Sequence, residues 1–186
     1  MNIALQQPEM DQFHHRVNPQ PSTDTVSTQQ FLQGMRRFAG AVNIITVNCE
    51  GVSYGLTATS VCSLSAEPPR LLACVNMKGA TFKAIQDKGA FAVNTLAVGQ
   101  EGIASSFGGA VNGDLDRCSA GDWDQSSELG LPLLKDACCT FECALCEIID
   151  SGTHALLIAD IVHVTPSIRA APLVYHDGTF CGLLEL

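Results

Sequence analysis

Strand signals in this chain arrive in close succession, joined by turns too short to hold a helix, and that spacing restricts the folds open to it more than any other feature. The segments "AVNIITVN" (41–48) and "VSYGLTATSV" (52–61) are rich in β-branched and aromatic residues and flank Glu50-Gly51, a turn signal. "SAEPPR" breaks the second segment from "RLLACVN" (70–76), because proline cannot donate to a central ladder. "AFAVNTL" (90–96) is a further strand. Two long strands, about 136–149 and 154–165, flank the turn residues of "DSGTH", and two short ones surround Asp177-Gly178, the strongest hairpin signal in the chain. Helices are expected at Ser27–Ala39, at Gly79–Asp87 and at 99–107. The first has a Ser27/Gln30 capping box and an apolar face of Phe31, Met35 and Phe38. Helices do not alternate regularly with strands, which disfavours a doubly wound parallel sheet. The pattern predicts a mainly β fold: a closed antiparallel barrel of seven or eight strands with peripheral helices.

Length and composition set the outer limits. The 186 residues, 46% of them hydrophobic and 16% charged, suffice for one globular domain with its own core. We assign that domain to residues 27–186. Residues 1–26, rich in Gln, Pro, Ser and Thr, read as a flexible tail or an arm lying on a partner subunit, with His14-His15 solvated within it. A net charge of −9 argues against nucleic acid or an anionic membrane as partner. No stretch reaches the roughly 20 apolar residues of a membrane helix. The N-terminus lacks the basic start and apolar run of a secretory signal, so the cytoplasm is the expected compartment.

The nine cysteines do not suggest a disulfide scaffold, being odd in number and set in a chain of ordinary size. "CCTFECALC" has metal-like spacing, but on a strand Cys143 and Cys146 would point to opposite faces. These cysteines are expected to be small, reduced core residues, and no metal site is expected. The acidic loop of Asp114, Asp116, Asp122 and Asp124 is expected to be a solvated surface, and 108–132 to be irregular, with Trp123 its apolar anchor.

Familiar catalytic signatures are missing: the chain has no G-x-G-x-x-G, no phosphate loop, no H-E-x-x-H and no G-x-S-x-G. What remains is a strand of small hydroxyl residues. Thr57 and Thr59 share one face, and Ala58 and Ser60 the other. Small residues on both faces would let a flat ring approach the backbone and be read by its N–H and C=O groups; equally, threonine is simply a good strand former. After Asn76, "NMKGATF" opens a helix whose free N–H groups, with Lys78 and Thr81, could take a phosphate; ordinary capping by Asn76 or Thr81 is the alternative. The two features side by side favour a flat, phosphate-bearing cofactor over either one alone.

At these residues the chain resembles a known family. "AVNIITV" (41–47), "GLTATSVCSLSAEPPRLLACVN" (55–76), "FAVNTLAVGQEGIASSFGG" (91–109) and "SGTHALLIADIVHV" (151–164), in that order, are similar to the short-chain NAD(P)H:flavin oxidoreductases that serve two-component monooxygenases. The likeness spans about residues 30–182. It implies an FMN-binding split barrel with antiparallel, Greek-key-like connections, a homodimer, and hydride transfer from NADH or NADPH to FMN or FAD. Reduced flavin would then pass to a separate oxygenase.

The resemblance also implies positions. Gly55, Thr57, Ala58, Thr59 and Ser60 would carry the flavin. Asn76, Lys78, Ala80 and Thr81 would hold its ribityl chain and phosphate. Ser106 and Phe107 would lie near the ring, Tyr175 would close the pocket, and His154 would sit where nicotinamide docks. The chain departs from the family pattern at "GDLDRCS" (Gly113–Ser119) and "HDGTF" (His176–Phe180), where relatives often carry a Glu-Arg pair and an Arg-Arg pair respectively. His163 and His176 match no motif. Three rival readings predict different behaviour: a non-catalytic flavin- or haem-binding barrel, a thiol or metal redox protein, and an amine oxidase of the pyridoxamine-phosphate-oxidase type.

Overall fold

A computed structural model describes residues 25–109, 119–126 and 128–184. Among them the chain forms three helices, α1 (Thr28–Met35), α2 (Ala80–Lys88) and α3 (Glu101–Phe107). The twelve strands are β1 (Gly40–Ala41), β2 (Asn43–Cys49), β3 (Val52–Ala58), β4 (Val61–Ala66), β5 (Pro69–Asn76), β6 (Ala90–Thr95), β7 (Trp123–Gln125), β8 (Pro132–Leu134), β9 (Cys139–Ser151), β10 (His154–Pro166), β11 (Val174–His176) and β12 (Thr179–Cys181). The tail at 1–24, with His14-His15, and Asp114, Asp116 and most of "GDLDRCS" lie outside the described residues.

Seven strands form one antiparallel sheet in the order β3-β2-β6-β9-β10-β5-β4, so β3 and β4 are its two edges. Only Thr59 and Ser60 lie between them in the chain. From Ala58 to Val61 the backbone reaches at most about 11 Å, whereas a flat seven-stranded sheet would set its edges about 29 Å apart. The sheet must therefore curl until its edges meet, and it does so as a barrel. The crossing segment is held to β5 by the Cys74 amide donating to the Ser60 carbonyl at 2.9 Å, which extends the β4–β5 ladder. Smaller sheets, β1-β11-β12 and β7-β8, pack outside.

Strand β2 is buried on both faces, which explains why "NIITV" reads as a continuous apolar run. Ile45 and Val47 point into the barrel among Ala73, Val75, Phe82, Ile85, Phe91, Val93 and Leu157. Val42 and Ile44 point outward into a second cluster with Leu96, Ala104, Phe107, Leu134 and Leu173. This second cluster ties α3 and the β7–β8 hairpin to the barrel wall. Asn94, fully buried, bridges the same parts: its amide donates to the Ile44 carbonyl and the Thr46 hydroxyl, and its carbonyl accepts from the Leu134 amide at 2.8 Å.

Several expectations need correction. The strand expected at 52–61 is two strands with different partners: β3 pairs with β2, and β4 with β5. The Pro68-Pro69 pair does not separate two ladders. Glu67 and Pro68 form the loop of a hairpin in which Ala66 faces Pro69, tolerated because Pro69 is the first residue of β5 and lies outside its pairing with β10. β9 begins at Cys139 rather than near 136, since Asp136 adopts a left-handed φ of 55°. The supposedly irregular 108–132 contains β7 and leads into β8, with Leu131 wholly buried. Asp122 and Asp124 are exposed, as expected, and both also pair with Lys135, at 3.2 and 3.3 Å.

The cysteines are only partly core. Cys143 is fully buried, but Cys62, Cys146 and Cys181 are exposed. Cys146 lies at a register shift where β9 holds one residue more than β10. Helix α1 has its capping box, yet none of its residues is buried, and Phe31, Leu32 and Met35 are about half exposed.

Candidate functional site

The hydroxyl-rich segment runs along the barrel's seam, and its environment follows from strand alternation. Leu56 and Ala58 face the barrel core, whereas Gly55 and Thr57 face outward toward α3. There they are already engaged. The Thr57 hydroxyl donates to the Ala104 carbonyl at 2.7 Å. A Cβ on Gly55 would lie 2.6 and 2.8 Å from two atoms of the Phe107 ring, so only glycine admits that ring. Phe107 itself is 2% exposed and tilts against Trp123 with centroids 5.6 Å apart. Gly55, Thr57, Ala58 and Phe107 thus shape the seam from beneath and offer a ligand no free side chain.

β3 also carries backbone groups that face away from β2. The Thr81 hydroxyl reaches the Gly55 carbonyl at 3.2 Å from the side away from β2, which shows that this carbonyl points off the sheet. Backbone groups two residues on, at Thr57, point the same way. Past them Thr59 and Ser60 are exposed; the Ser60 hydroxyl donates to the Cys74 carbonyl at 3.2 Å. A strand edge whose backbone groups at Thr57 point off the sheet, flanked by small side chains, can read the polar rim of a flat ring.

β5 carries the site onward. Ser60 lies against Cys74, and Asn76 follows two residues later, about 7 Å along the strand. Asn76 is exposed, and its side-chain oxygen accepts from the Lys78 amide at 2.9 Å, fixing the turn into α2. That helix starts at Gly79 with no side-chain cap, so its first amides face outward beside the exposed Lys78 and Ala80. Thr81, expected as a phosphate ligand, is 7% exposed and spends its hydroxyl on Gly55. Directly across the ladder from Asn76 is His154, exposed, with its Nδ1 2.9 Å from the Thr153 hydroxyl.

The remaining expected residues divide. Ser106 is exposed but donates to the Gly102 carbonyl one turn back. Tyr175 is 39% exposed, packs edge-on against Phe180 at 5.4 Å and pairs with Gly40 in the outer sheet. Gly40 in turn packs on Thr59, within 3.2 Å of where a Cβ would be. Tyr175 is thereby connected to the seam through a single residue. Sequence reasoning missed the contributions of Thr153 beside His154 and of Trp123 behind Phe107. Trp123 was legible only as an apolar residue in a polar stretch.

The thiols offer little chemistry of their own. Burial raises Cys139, Cys143 and Cys146 above the ordinary thiol range, Cys143 to about 12, opposite to what an activated nucleophile requires. Among the described residues, no three His, Cys, Asp or Glu gather as a metal cluster. On the outer face of β5 and β10, Arg70 meets Asp160 at 2.7 Å, and that hydrogen bond holds the Asp160 carboxyl below its usual range.

A barrel with an outward strand edge along its seam and an uncapped helix start at one end could hold a flat ligand carrying a phosphate. Known proteins agree with that class. Residues 35–184 match the family described as "Flavin reductase like domain", and the chain belongs to this family of oxidoreductases. It is 35% identical over 161 residues to the protein named FMN reductase (NADH) RutF of Enterobacter sp. strain 638, covering 87% of this chain and 97% of that one. It is 37% identical over 155 residues to FMN reductase (NADH) RutF 1 of Methylorubrum extorquens, covering 83% and 76%.

Among solved structures, a putative flavin reductase of Haemophilus somnus superposes with TM-score 0.81 at 32% identity, over 85% of this chain and all of that one. BorF, the flavin reductase component of a bacterial two-component tryptophan halogenase, superposes with TM-score 0.79 at 28% identity, over 86% of this chain and 100% of that one. The Streptomyces globisporus NADH:FAD oxidoreductase SgcE6, in complex with NAD and FAD fragments, gives 0.77 at 25% identity, over 87% and 98%.

Proposed function

We propose that this protein is an NADH-dependent FMN reductase that supplies reduced flavin to a separate monooxygenase. The observation that carries the reading is the outward edge of β3 at Thr57, followed by the uncapped start of α2: a place for a ring, then a place for a phosphate. FMN and NADH, rather than FAD and NADPH, are favoured because relatives at 35–37% identity bear those names. Free thiols fit a cytoplasmic setting, and among the described residues no helix is long and apolar enough to cross a membrane.

A bound flavin supplies the redox chemistry, accepting a hydride from the reduced nicotinamide. The protein's task is to bind and orient. The outward backbone groups of Thr57 and Thr59 hold the ring's polar rim, where preorganised N–H donors favour the more electron-rich state. Asn76, Lys78 and the first amides of α2 hold the tail. His154, across from Asn76, lies at the open side and contacts the nicotinamide. Tyr175 borders the same opening.

The active unit is a homodimer in this reading. Leu72, Cys74, Leu156 and Ile158 form a half-exposed apolar stripe on the outer face of β5 and β10. Helix α1, eight residues long, buries none of its own apolar face, and a helix that short is marginal without packing. A second copy would cover both.

The test is to add FMN to the purified protein and follow NADH absorbance in air, beside NADPH and FAD. Flavin-dependent turnover, fastest with NADH and FMN, is expected; no turnover above free flavin refutes the reading. Asn76→Ala should weaken FMN binding several-fold by titration, and an unchanged curve rejects the tail assignment. Light scattering should give twice the monomer mass.

A further inference from the structure

We infer that Trp123 is a positioning residue for the flavin strand, acting through Phe107 on the backbone of Gly55–Ser60; the inference rests on the flavin reading above. β3 is an edge strand, so a ladder fixes it on one side only. What sets its position on the outward face is side-chain packing. The Phe107 ring lies flush against Gly55, close enough to leave no room for a methyl group. Phe107 is the last residue of a seven-residue helix and is followed by Gly108 and Gly109, and a helix that short is marginal without packing. Trp123 packs tilted against the same ring, with centroids 5.6 Å apart.

Trp123 can serve as a wall because it has anchors of its own outside α3. Its indole N–H donates to the Ala120 carbonyl at 3.2 Å. Its backbone pairs with Leu134, whose amide is bonded to the buried Asn94 of the barrel. The residues on either side, Asp122 and Asp124, both pair with Lys135 in the turn after β8. Gly121, at φ 111°, passes so close to the indole that its Cβ would lie 3.3 Å from Nε1. The line from barrel to β7–β8 hairpin to Trp123 to Phe107 to Gly55 is continuous, and it ends on the strand whose outward edge reads the ring.

Trp123→Ala, Trp123→Leu and Trp123→Phe are compared with Leu173→Ala, which opens a cavity in the same cluster away from this line. Amide hydrogen exchange on the flavin-free protein reads the strand directly. Exchange at Gly55–Thr59 is expected to rise about tenfold in Trp123→Ala and Trp123→Leu, to stay near wild type in Trp123→Phe, and not to rise selectively in Leu173→Ala. FMN titration of the folded proteins should show about a tenfold weaker dissociation constant for the first two variants only. If Trp123→Ala does not fold, Trp123→Leu carries the comparison. Unchanged β3 exchange and FMN affinity in the Trp123 variants, or equal changes in Leu173→Ala, overturn the proposal. Failure of the wild type to bind FMN refutes the flavin reading instead, while the exchange result still decides the buttress.

Discussion

Replacing Gly55 by alanine adds one methyl group where the structure has no space, and its cost can be worked out. The new carbon would sit 2.6 and 2.8 Å from two Phe107 ring atoms and 3.2 Å from the Ile45 carbonyl. Unstrained carbon pairs sit about 3.5–4.0 Å apart, so the ring must retreat by about 1 Å. It cannot do so freely, because Phe107 is almost wholly buried and packs against Trp123. The Ile45 carbonyl belongs to the β2–β3 ladder and cannot yield without breaking register. Overpacking of this kind costs about 1–3 kcal/mol, and the blocked retreat puts Gly55 at the upper end. Alanine also restricts the unfolded chain, offsetting about 0.4–1 kcal/mol. The net loss is about 2 kcal/mol, or about 4–8 °C in Tm for a chain of this length. Urea unfolding measures it. The double variant Gly55→Ala/Phe107→Leu should be more stable than the sum of the single losses by about 1 kcal/mol. A Gly55→Ala protein within about 0.5 kcal/mol of wild type, with no coupling to Phe107, refutes the close packing that underlies the seam.

Thr81→Val removes the hydroxyl that reaches the Gly55 carbonyl while keeping the buried volume; a loss of about 1 kcal/mol in urea unfolding is expected. Cys143 has its thiol raised by burial from 9.0 to about 12. The unfolded chain therefore releases this proton first, so the thiol's contribution to stability is full below pH 9 and falls away as pH rises toward 12. Urea midpoints at pH 8 and pH 10.5 should converge in Cys143→Ala relative to wild type. Thiol labelling of the native protein should spare Cys143 and modify the exposed Cys62 and Cys181.

The barrel's hairpins were legible because their ladders are local. The Glu50-Gly51, Asp150–Gly152 and Asp177-Gly178 turns each mark a hairpin that the structure contains. What escaped is what depends on distant partners. No pattern within 52–61 reveals that the chain changes ladders at Thr59-Ser60, because both halves are equally good strand; the change is imposed by β2 on one side and β5 on the other. The β7–β8 hairpin was hidden for a similar reason. Its strands are three residues each, too short for alternation to register, and they are stabilised by Asn94 and Lys135 rather than by their own sequence. The exposed cysteines were misjudged because residue type predicts burial only on average, whereas the bulge at Cys146 and the edge position of Cys62 put these two outside.

The same dependence on partners reshapes the site. Read as a string, Gly55 to Ser60 offered hydroxyls. In the fold, Thr57 gives its hydroxyl to α3, Ser60 to β5, and Gly55 receives that of Thr81. Each of these bonds fixes the strand instead of reaching a ligand. A strand pinned in this way leaves its outward backbone groups in fixed directions, and fixed donors lose little entropy when a ring arrives. The hydroxyls then matter because they hold the backbone still. That gives the variants opposite signatures: Thr57→Val should weaken flavin binding by loosening the strand and so raise its hydrogen exchange in the flavin-free protein, whereas loss of a true ligand contact, as in Asn76→Ala, should weaken binding while leaving β3 exchange as it was.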